Sequence, residues 1–568
     1  MKNLPAAFVS RLPQVRFLPW IALFAIILTY LCLVVHLHPT NFFGLSEDDT
    51  LYFSSAKAMA EGQGYILPSV PGTPPATKYP ILYPWILSWV WRCNPAFPEN
   101  LSAAVAVNLV FGLVYLIAVF TFLRKLPGSS NAVSLVLTAG CALNPRVLFF
   151  SANLMSDIPF AALALGACVF AGGASEKEAR PRMTVLCGLL TGLSILIRAL
   201  GIPIAAGLFV AMGLRSGWRK AAIYATCVLP LVAVPLSRSL LLAAKVPLVA
   251  ASTCSGSWRT TWLYYTSYAG FWRADVLSHG VFWQTVRDDV LAALVQPAVY
   301  LVKPAYIAAP VLALVLFVIL SVVAFRGGVR LLSSGGWLPI HIALAFYLLP
   351  ILMWNYGVMD RFLLPFLPLI FAGIWWEVRH LVSQVRSASG GKRRAEMAVV
   401  ACFFGIAAIA MLAGIGASWS REIRAIAKES ESRAALLVEK REAYAWLRKN
   451  SSQDAVSIAY EDASLFLYSG RQAIRPVIFS TAGVKRPDVL NSELACILSN
   501  ANIVHAKYWL VSDDDFDSEW EAAKLRAKAK EQEMERSLSP VFRSGQDKVR
   551  IYELDENGSR GASRPIGE

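Results

Sequence analysis

Long runs without Asp, Glu, Lys or Arg alternate along this chain with short basic breaks. A helix needs about 20 apolar residues to cross a bilayer core. Eleven runs approach or meet that length, at approximately 17 to 37, 101 to 123, 129 to 145, 158 to 174, 183 to 197, 199 to 214, 221 to 241, 304 to 325, 337 to 357, 362 to 376 and 397 to 417. The pattern predicts a polytopic α-helical membrane protein with about 11 transmembrane helices over residues 1 to 417. The first run lacks a small-residue cleavage site and reads as a retained span. The two runs flanking Arg198 are short for crossings and can form a tight or broken hairpin. From Arg421 the pattern turns soluble. Residues 421 to 449 and 517 to 537 look helical, and 455 to 460, 508 to 512 and 549 to 554 look like strands, which predicts a small α/β domain over 418 to 568.

Charge gives this arrangement a direction. The connections that fall on one side when the runs are numbered alternately carry Lys2, Arg11 and Arg16, then Arg124 and Lys125, 175 to 182, 215 to 220, 326 to 330 and 378 to 396, each of them short and basic. By the positive-inside rule that side is cytoplasmic. Loops 38 to 100 and 242 to 303 and the C-terminal domain then lie on the non-cytoplasmic face. Composition agrees: 56% of the 568 residues are hydrophobic, 16% are charged and mean hydropathy is +0.51. These values exclude a disordered chain and an ordinary soluble enzyme. Much of the net charge of +15 sorts by membrane side, so it makes no nucleic-acid footprint. The nine cysteines suggest no disulfide framework, and no metal-ligand spacing such as CxxC occurs.

Chemistry is sought in the outer loops. Ser46-Glu47-Asp48-Asp49-Thr50-Leu51-Tyr52 opens a helix reaching about Glu61. Ser46 with Asp49 fits a capping box, which occupies Asp49 and leaves Asp48 free to project. A projecting carboxylate of raised pKa beside a hydroxyl can act as a general base. Farther on, Lys78 sits among Tyr79, Pro80, Tyr83 and Trp85, a phosphate contact or an interfacial belt with a snorkelling lysine.

Residues 48 to 92, with Asp-Asp-x-x-Tyr, Gly-x-Gly-Tyr and Lys-Tyr-Pro-x-Leu-Tyr-Pro, resemble the first periplasmic loop of GT-C membrane glycosyltransferases, among them bacterial relatives of lipid A aminoarabinose transferase and protein O-mannosyltransferases. Met155-Ser156-Asp157-Ile158-Pro159-Phe160 and Asp360-Arg361-Phe362-Leu363-Leu364-Pro365 are similar to further marks of that family, although each also fits a plain reading, a helix cap and a surface ion pair. Ile81 departs from the pattern, since relatives commonly repeat proline there. The resemblance implies a polyprenyl-phosphate sugar as donor, an Asp of the acidic pair as base and Lys78 as a contact to the donor phosphate.

On this reading the chain moves a sugar from a polyprenyl-phosphate donor to a hydroxyl on a lipid, glycan or protein, with inversion. Asp48, Asp49 and Asp157 are the candidate catalytic acids. Lys78, Tyr79, Tyr83, Arg198, Arg259 and Arg361 are the candidate substrate contacts. Arg198 is chosen because an ionisable group within the bilayer tends to face a cavity. Arg259 belongs to an outer loop where Trp258, Trp262, Tyr264, Tyr265 and Tyr268 interleave with basic residues, a pattern that also fits a helix lying on the membrane. No cofactor is expected. A divalent ion held by Asp48, Asp49 and Asp157 stays open, although the resemblance favours a metal-independent transfer. The rival readings are a transporter or flippase of lipid-linked sugars and a catalytically inert scaffold.

Overall fold

The computed structural model describes residues 17 to 174, 181 to 242, 254 to 303, 310 to 335, 339 to 355, 360 to 387 and 391 to 554. The expected basic residues Lys2, Arg11 and Arg16 and most of the 175 to 182 connection lie outside them. Each of the eleven apolar runs overlaps a helix. Among the described residues five helices are long and apolar enough to cross a bilayer: Leu18–His36, Leu101–Arg124, Asp157–Ala174, Trp218–Ser239 and Asp360–Gln384. The run at 129 to 145 is not one straight helix. Asn131–Ala142 and Pro145–Ala152 meet at a 55° bend, where Asn144 caps the second helix by accepting from the Arg146 amide and Pro145 takes a first-turn position that needs no amide donor. Arg198 lies in the turn between Pro181–Ile197 and Gly201–Ser216, as the short flanking runs suggested. The last run belongs to a 60-residue helix, Gly391–Asn450, which continues into the C-terminal part.

Asp157–Ala174, rich in alanine and glycine, is largely buried in the bundle and packs on Leu101–Arg124 and Pro181–Ile197. Helices approach closely where small residues meet. At the crossing of Pro310–Gly335 with Leu367–Ser387, a Cβ on Gly327 would stand 1.7 Å from the Gly373 carbonyl oxygen, so only glycine fits. The basic connections meet one another at one end of the bundle. Arg379 donates to the carbonyls of Pro127 and Gly128, Lys125 to that of Val169, and Lys220 to that of Ala174.

At the other end the two large loops meet a C-terminal sheet of five strands: β1 Val456–Ile458, β2 Gln472–Ile474, β3 Ala506–Ser512, β4 Pro540–Arg543 and β5 Val549–Glu553, in the order β2-β1-β3-β5-β4. The β2-β1-β3 strands are parallel, which requires helical crossovers such as Asp462–Ser469, while β5 pairs antiparallel with β3 and β4. Alternation along β3 sends Trp509 and Val511 to one apolar face and Leu510 to the other, and helices cover both. The charged helix Glu521–Glu535 and strands β1, β3 and β5 match the sequence reading, whereas β2 and β4 were not foreseen.

Three attachments fix this α/β unit to the loops. Ala473 of β2 donates its amide to the Ser69 carbonyl at 2.9 Å. Lys440, 2% exposed on its side chain, bonds Glu461 and Asp514 at 2.8 and 2.9 Å, next to Arg433, which reaches the Asn41 carbonyl at 3.3 Å. Cys254 and Cys496 form a disulfide, which corrects the expectation that the cysteines build no framework. The aromatic helix Ser255–Thr266 accordingly buries Trp258, Trp262 and Tyr265 against protein, so the membrane-surface reading of these positions does not hold.

Candidate functional site

A cavity of about 600 Å³ opens where the two loops, the bundle and the α/β unit converge. Asp48 stands at the first turn of the helix Asp48–Ala60 and faces it. One carboxylate oxygen accepts from the Tyr79 hydroxyl at 2.5 Å, and the other lies 3.4 Å from the Arg361 guanidinium. Burial pushes the Asp48 carboxyl up, but Arg361, Lys78 and the Tyr79 hydroxyl outweigh it and hold the group below its ordinary value. The expectation of a raised pKa is therefore corrected, because cations surround the acid.

Asp49 has a different role in the same helix. It is fully buried and does not line the cavity. Its oxygens accept from the amides of Gly44 and Thr50 at 3.0 and 2.7 Å, and burial raises its pKa well above the ordinary value despite those bonds. The expected capping box does not form, since no side-chain cap bond is made at this helix start. Asp49 instead ties the preceding loop to the helix, which still leaves Asp48 as the projecting acid.

Lys78 is 9% exposed. Its ammonium lies 3.9 Å from the ring centre of Tyr264 and 5.4 Å from that of Tyr268, with no ion pair among the described residues. Burial lowers its pKa, opposed by Asp48 and Glu47. Arg198 and Arg361 both line the cavity and flank the Phe362 ring at 5.8 and 5.2 Å. Arg198 is bound to Asp157 at 2.5 Å, so Asp157 stands behind the wall as its partner. Arg361 does not pair with its neighbour Asp360, whose carboxylate holds Arg146 at 2.8 Å. Both charges of that motif are thus ion-paired, with other elements and away from the surface.

The cavity brings together Asp48, Lys78, Tyr79, Arg198 and Arg361. Tyr83 is elsewhere, fully buried and donating to Asn108 at 2.8 Å. Arg259 lines a separate groove of about 710 Å³ between the second loop and the α/β unit. The possible cation site from Asp48, Asp49 and Asp157 is not assembled, because the three acids face different partners. Among the described residues no group of three or more His, Cys, Asp or Glu side chains is placed to hold a metal.

Sequence reasoning missed further wall residues, among them Glu47, Tyr460, Arg475 and Glu519. Glu47 was visible as the third acid of the cluster. The other three come from the α/β unit, and only the fold brings them to the cavity.

No family model and no curated protein sequence matches the chain. Solved structures do. The apo oligosaccharyltransferase of Archaeoglobus fulgidus is similar with a TM-score of 0.50 at 12% identity, over 87% of this chain and 70% of that one. The oligosaccharyltransferase AglB of the same organism, in complex with an inhibitory peptide and a dolichol-phosphate, gives 0.49 at 13% identity over 96% and 75%. ArnT from Cupriavidus metallidurans, bound to undecaprenyl phosphate, gives 0.43 at 10% identity over 92% and 97%. The GT-C resemblance read from the first loop holds at the level of fold.

Proposed function

We propose that the chain transfers a sugar from a polyprenyl-phosphate donor to a hydroxyl acceptor at the outer face of a bacterial inner membrane. The observation that carries this reading is the carboxyl group of Asp48 facing the same cavity as the cations Lys78, Arg198 and Arg361. The GT-C fold supports it. The acceptor oxygen attacks the anomeric carbon from the side opposite the phosphate and passes its proton to Asp48. The bond from that carbon to the phosphate oxygen breaks, its electron pair leaves with polyprenyl phosphate, and configuration inverts.

The cations differ in their availability to the phosphate. Arg198 is neutralised by Asp157 and Arg361 is shared with Asp48, whereas Lys78 rests on aromatic faces and makes no ion pair among the described residues. Lys78 is therefore the principal phosphate contact. A cation aimed at developing charge in a shielded site stabilises it more strongly than in water. With cationic side chains in that place, the transfer is metal-independent.

The test is transfer of radiolabel from polyprenyl-phosphate sugars to membrane extracts by purified protein. Transfer that depends on Asp48 and Lys78 supports the reading. Transport of the labelled lipid across vesicles without transfer would replace it with the flippase.

A further inference from the structure

The side of the cavity built by the α/β unit carries a second polar cluster, which the transfer chemistry does not use. Arg475 follows β2, and its amide donates to the Tyr265 hydroxyl at 3.1 Å, which in turn donates to Asp462 at 2.5 Å. The backbone is thereby fixed. The guanidinium lies 3.9 Å from the ring centre of Tyr460, donates to Glu47 at 2.5 Å and stands 3.9 Å from Glu519. Tyr460 donates to Glu519 at 2.6 Å and Tyr264 to Glu47 at 2.5 Å.

The protein does not complete this cluster. Oε1 of Glu47 and Nε of Arg475 are buried without a hydrogen-bond partner among the described residues, on side chains only 10% and 9% exposed. Buried polar atoms are ordinarily paired. An acceptor and a donor left over on two paired side chains that line one cavity suit a ligand whose groups both donate and accept, as hydroxyls do. Tyr264, Tyr268 and Trp354 add aromatic faces to the same cavity.

We infer that Glu47, Arg475, Glu519 and Tyr460 form the subsite that reads the donor's glycosyl group, and that this group is an uncharged sugar recognised through its hydroxyls. The inference rests on the proposed function. Charge decides the class of sugar: Arg475 is already answered by Glu47, a uronate would meet the carboxylates of Glu47 and Glu519, and an amino sugar would meet Arg475 and Lys78. Tyr264 joins the two subsites, since its ring lies under the Lys78 ammonium and its hydroxyl holds Glu47. A sugar and its phosphate would therefore occupy adjoining places.

The experiment measures binding of undecaprenyl phosphate, and of the same lipid carrying a neutral hexose, a hexuronate or an amino hexose, to the full chain in detergent. Wild type is compared with Arg475→Gln and Glu519→Gln, each checked for monodisperse elution. Wild type should gain about tenfold or more from the neutral hexose and less from the charged sugars, as expected where buried polar groups read hydroxyls. Both variants should lose that gain while binding the bare lipid phosphate as wild type does. Should Arg475→Gln not fold, Glu519→Gln carries the test. Wild type that binds the bare lipid but gains nothing from a neutral sugar overturns the subsite alone, as does a charged sugar gaining as much or variants that weaken the bare lipid. Wild type without affinity for undecaprenyl phosphate overturns the proposed function and this inference together.

Discussion

Replacing Asp48 with Asn separates a base from a bystander. A positioned general base contributes on the order of 100- to 10,000-fold, and efficiency falls as its pKa moves away from the working pH. Asp48 is held below its ordinary value by Arg361, Lys78 and Tyr79, so it stays ionised but is a weak base. The expected loss in kcat is therefore about 100- to 1,000-fold, or ~3 to 4 kcal/mol at about 1.4 kcal/mol per tenfold. The fold should persist, because among the described residues the one ion pair removed is a long one of 3.4 Å to Arg361. Asp49→Asn is the matched control. Both Asp49 oxygens accept from backbone amides and an Asn side chain keeps only one acceptor, so this variant should melt earlier, losing about 1 to 3 kcal/mol of stability, while kcat of the folded protein falls less than about tenfold.

The pH profile adds a second reading from the same site. A carboxyl whose folded pKa is depressed stays ionised down to pH values below its ordinary one, and its function is lost only as pH falls through the depressed value. Wild-type kcat/KM should thus be flat from neutrality to about pH 5 and decline only below it. Tyr79→Phe removes a donor that lowers the pKa, so it should move the acid limb upward with little change in kcat at neutral pH. The assay is initial-rate transfer of radiolabel at saturating donor. Asp48→Asn retaining kcat within about threefold, or a wild-type limb near pH 6 to 7 that this variant abolishes, would refute the reasoning.

Other sites give separate expectations. Lys78→Ala should raise the donor KM more than it lowers kcat, whereas an equal fall in kcat and kcat/KM would place Lys78 in the transition state alone. Asp157→Asn strips a buried arginine of its partner and should destabilise the protein by ~3 to 5 kcal/mol, seen as a lower melting temperature in detergent. Treatment with EDTA should leave transfer unchanged, and a loss restored by a divalent cation would count against the metal-independent scheme. Asp462 is raised to about 7, chiefly by burial and then by Glu47. As pH rises from about 4 to about 7 an unfolded chain releases this proton while the folded one keeps it, so stability falls by up to ~1.4 kcal/mol per pH unit. Asp462→Asn should reduce that slope, with Asp515 and Glu531 still contributing in the same direction.

How much of this was legible in the sequence depends on the range of the contacts involved. Helices were readable because a charge-free run is a local property. The bend at Asn144 and Pro145 has a local signal as well, the Asn-Pro pair, but it lies inside a run without charges. Asp48, Lys78, Arg198 and Arg361 could be named because each carries a conspicuous local context, an acidic cluster, a proline-rich aromatic segment or a charge between apolar runs. Tyr83 shared such a context with Lys78, yet it lies on the helix Leu82–Cys93, whose register turns it into the core towards Asn108. Arg259 and Cys254 were separated from their meaning by a fold the sequence does not spell out. The half-cystine at 254 finds its partner 242 residues away, and no spacing rule spans that distance.

The cavity's second wall shows the same limit most clearly. Arg475 follows a three-residue strand with little periodicity of its own, and its bond to Glu47 joins residues 428 apart. Beside that bond, β2 is held against the first loop at Ser69 and the Tyr265 hydroxyl accepts from the Arg475 amide. An orphan donor and acceptor can persist there because attachments around them over-determine the geometry. Division of labour follows from this construction. On the proposed reading the residues that meet the phosphate and the acceptor proton sit in the bundle and the first loop, while most of those that would discriminate between sugars come from the α/β unit. Changes in β2 or in the 514 to 519 turn should therefore alter which donor is accepted while leaving the Asp48 and Lys78 machinery intact.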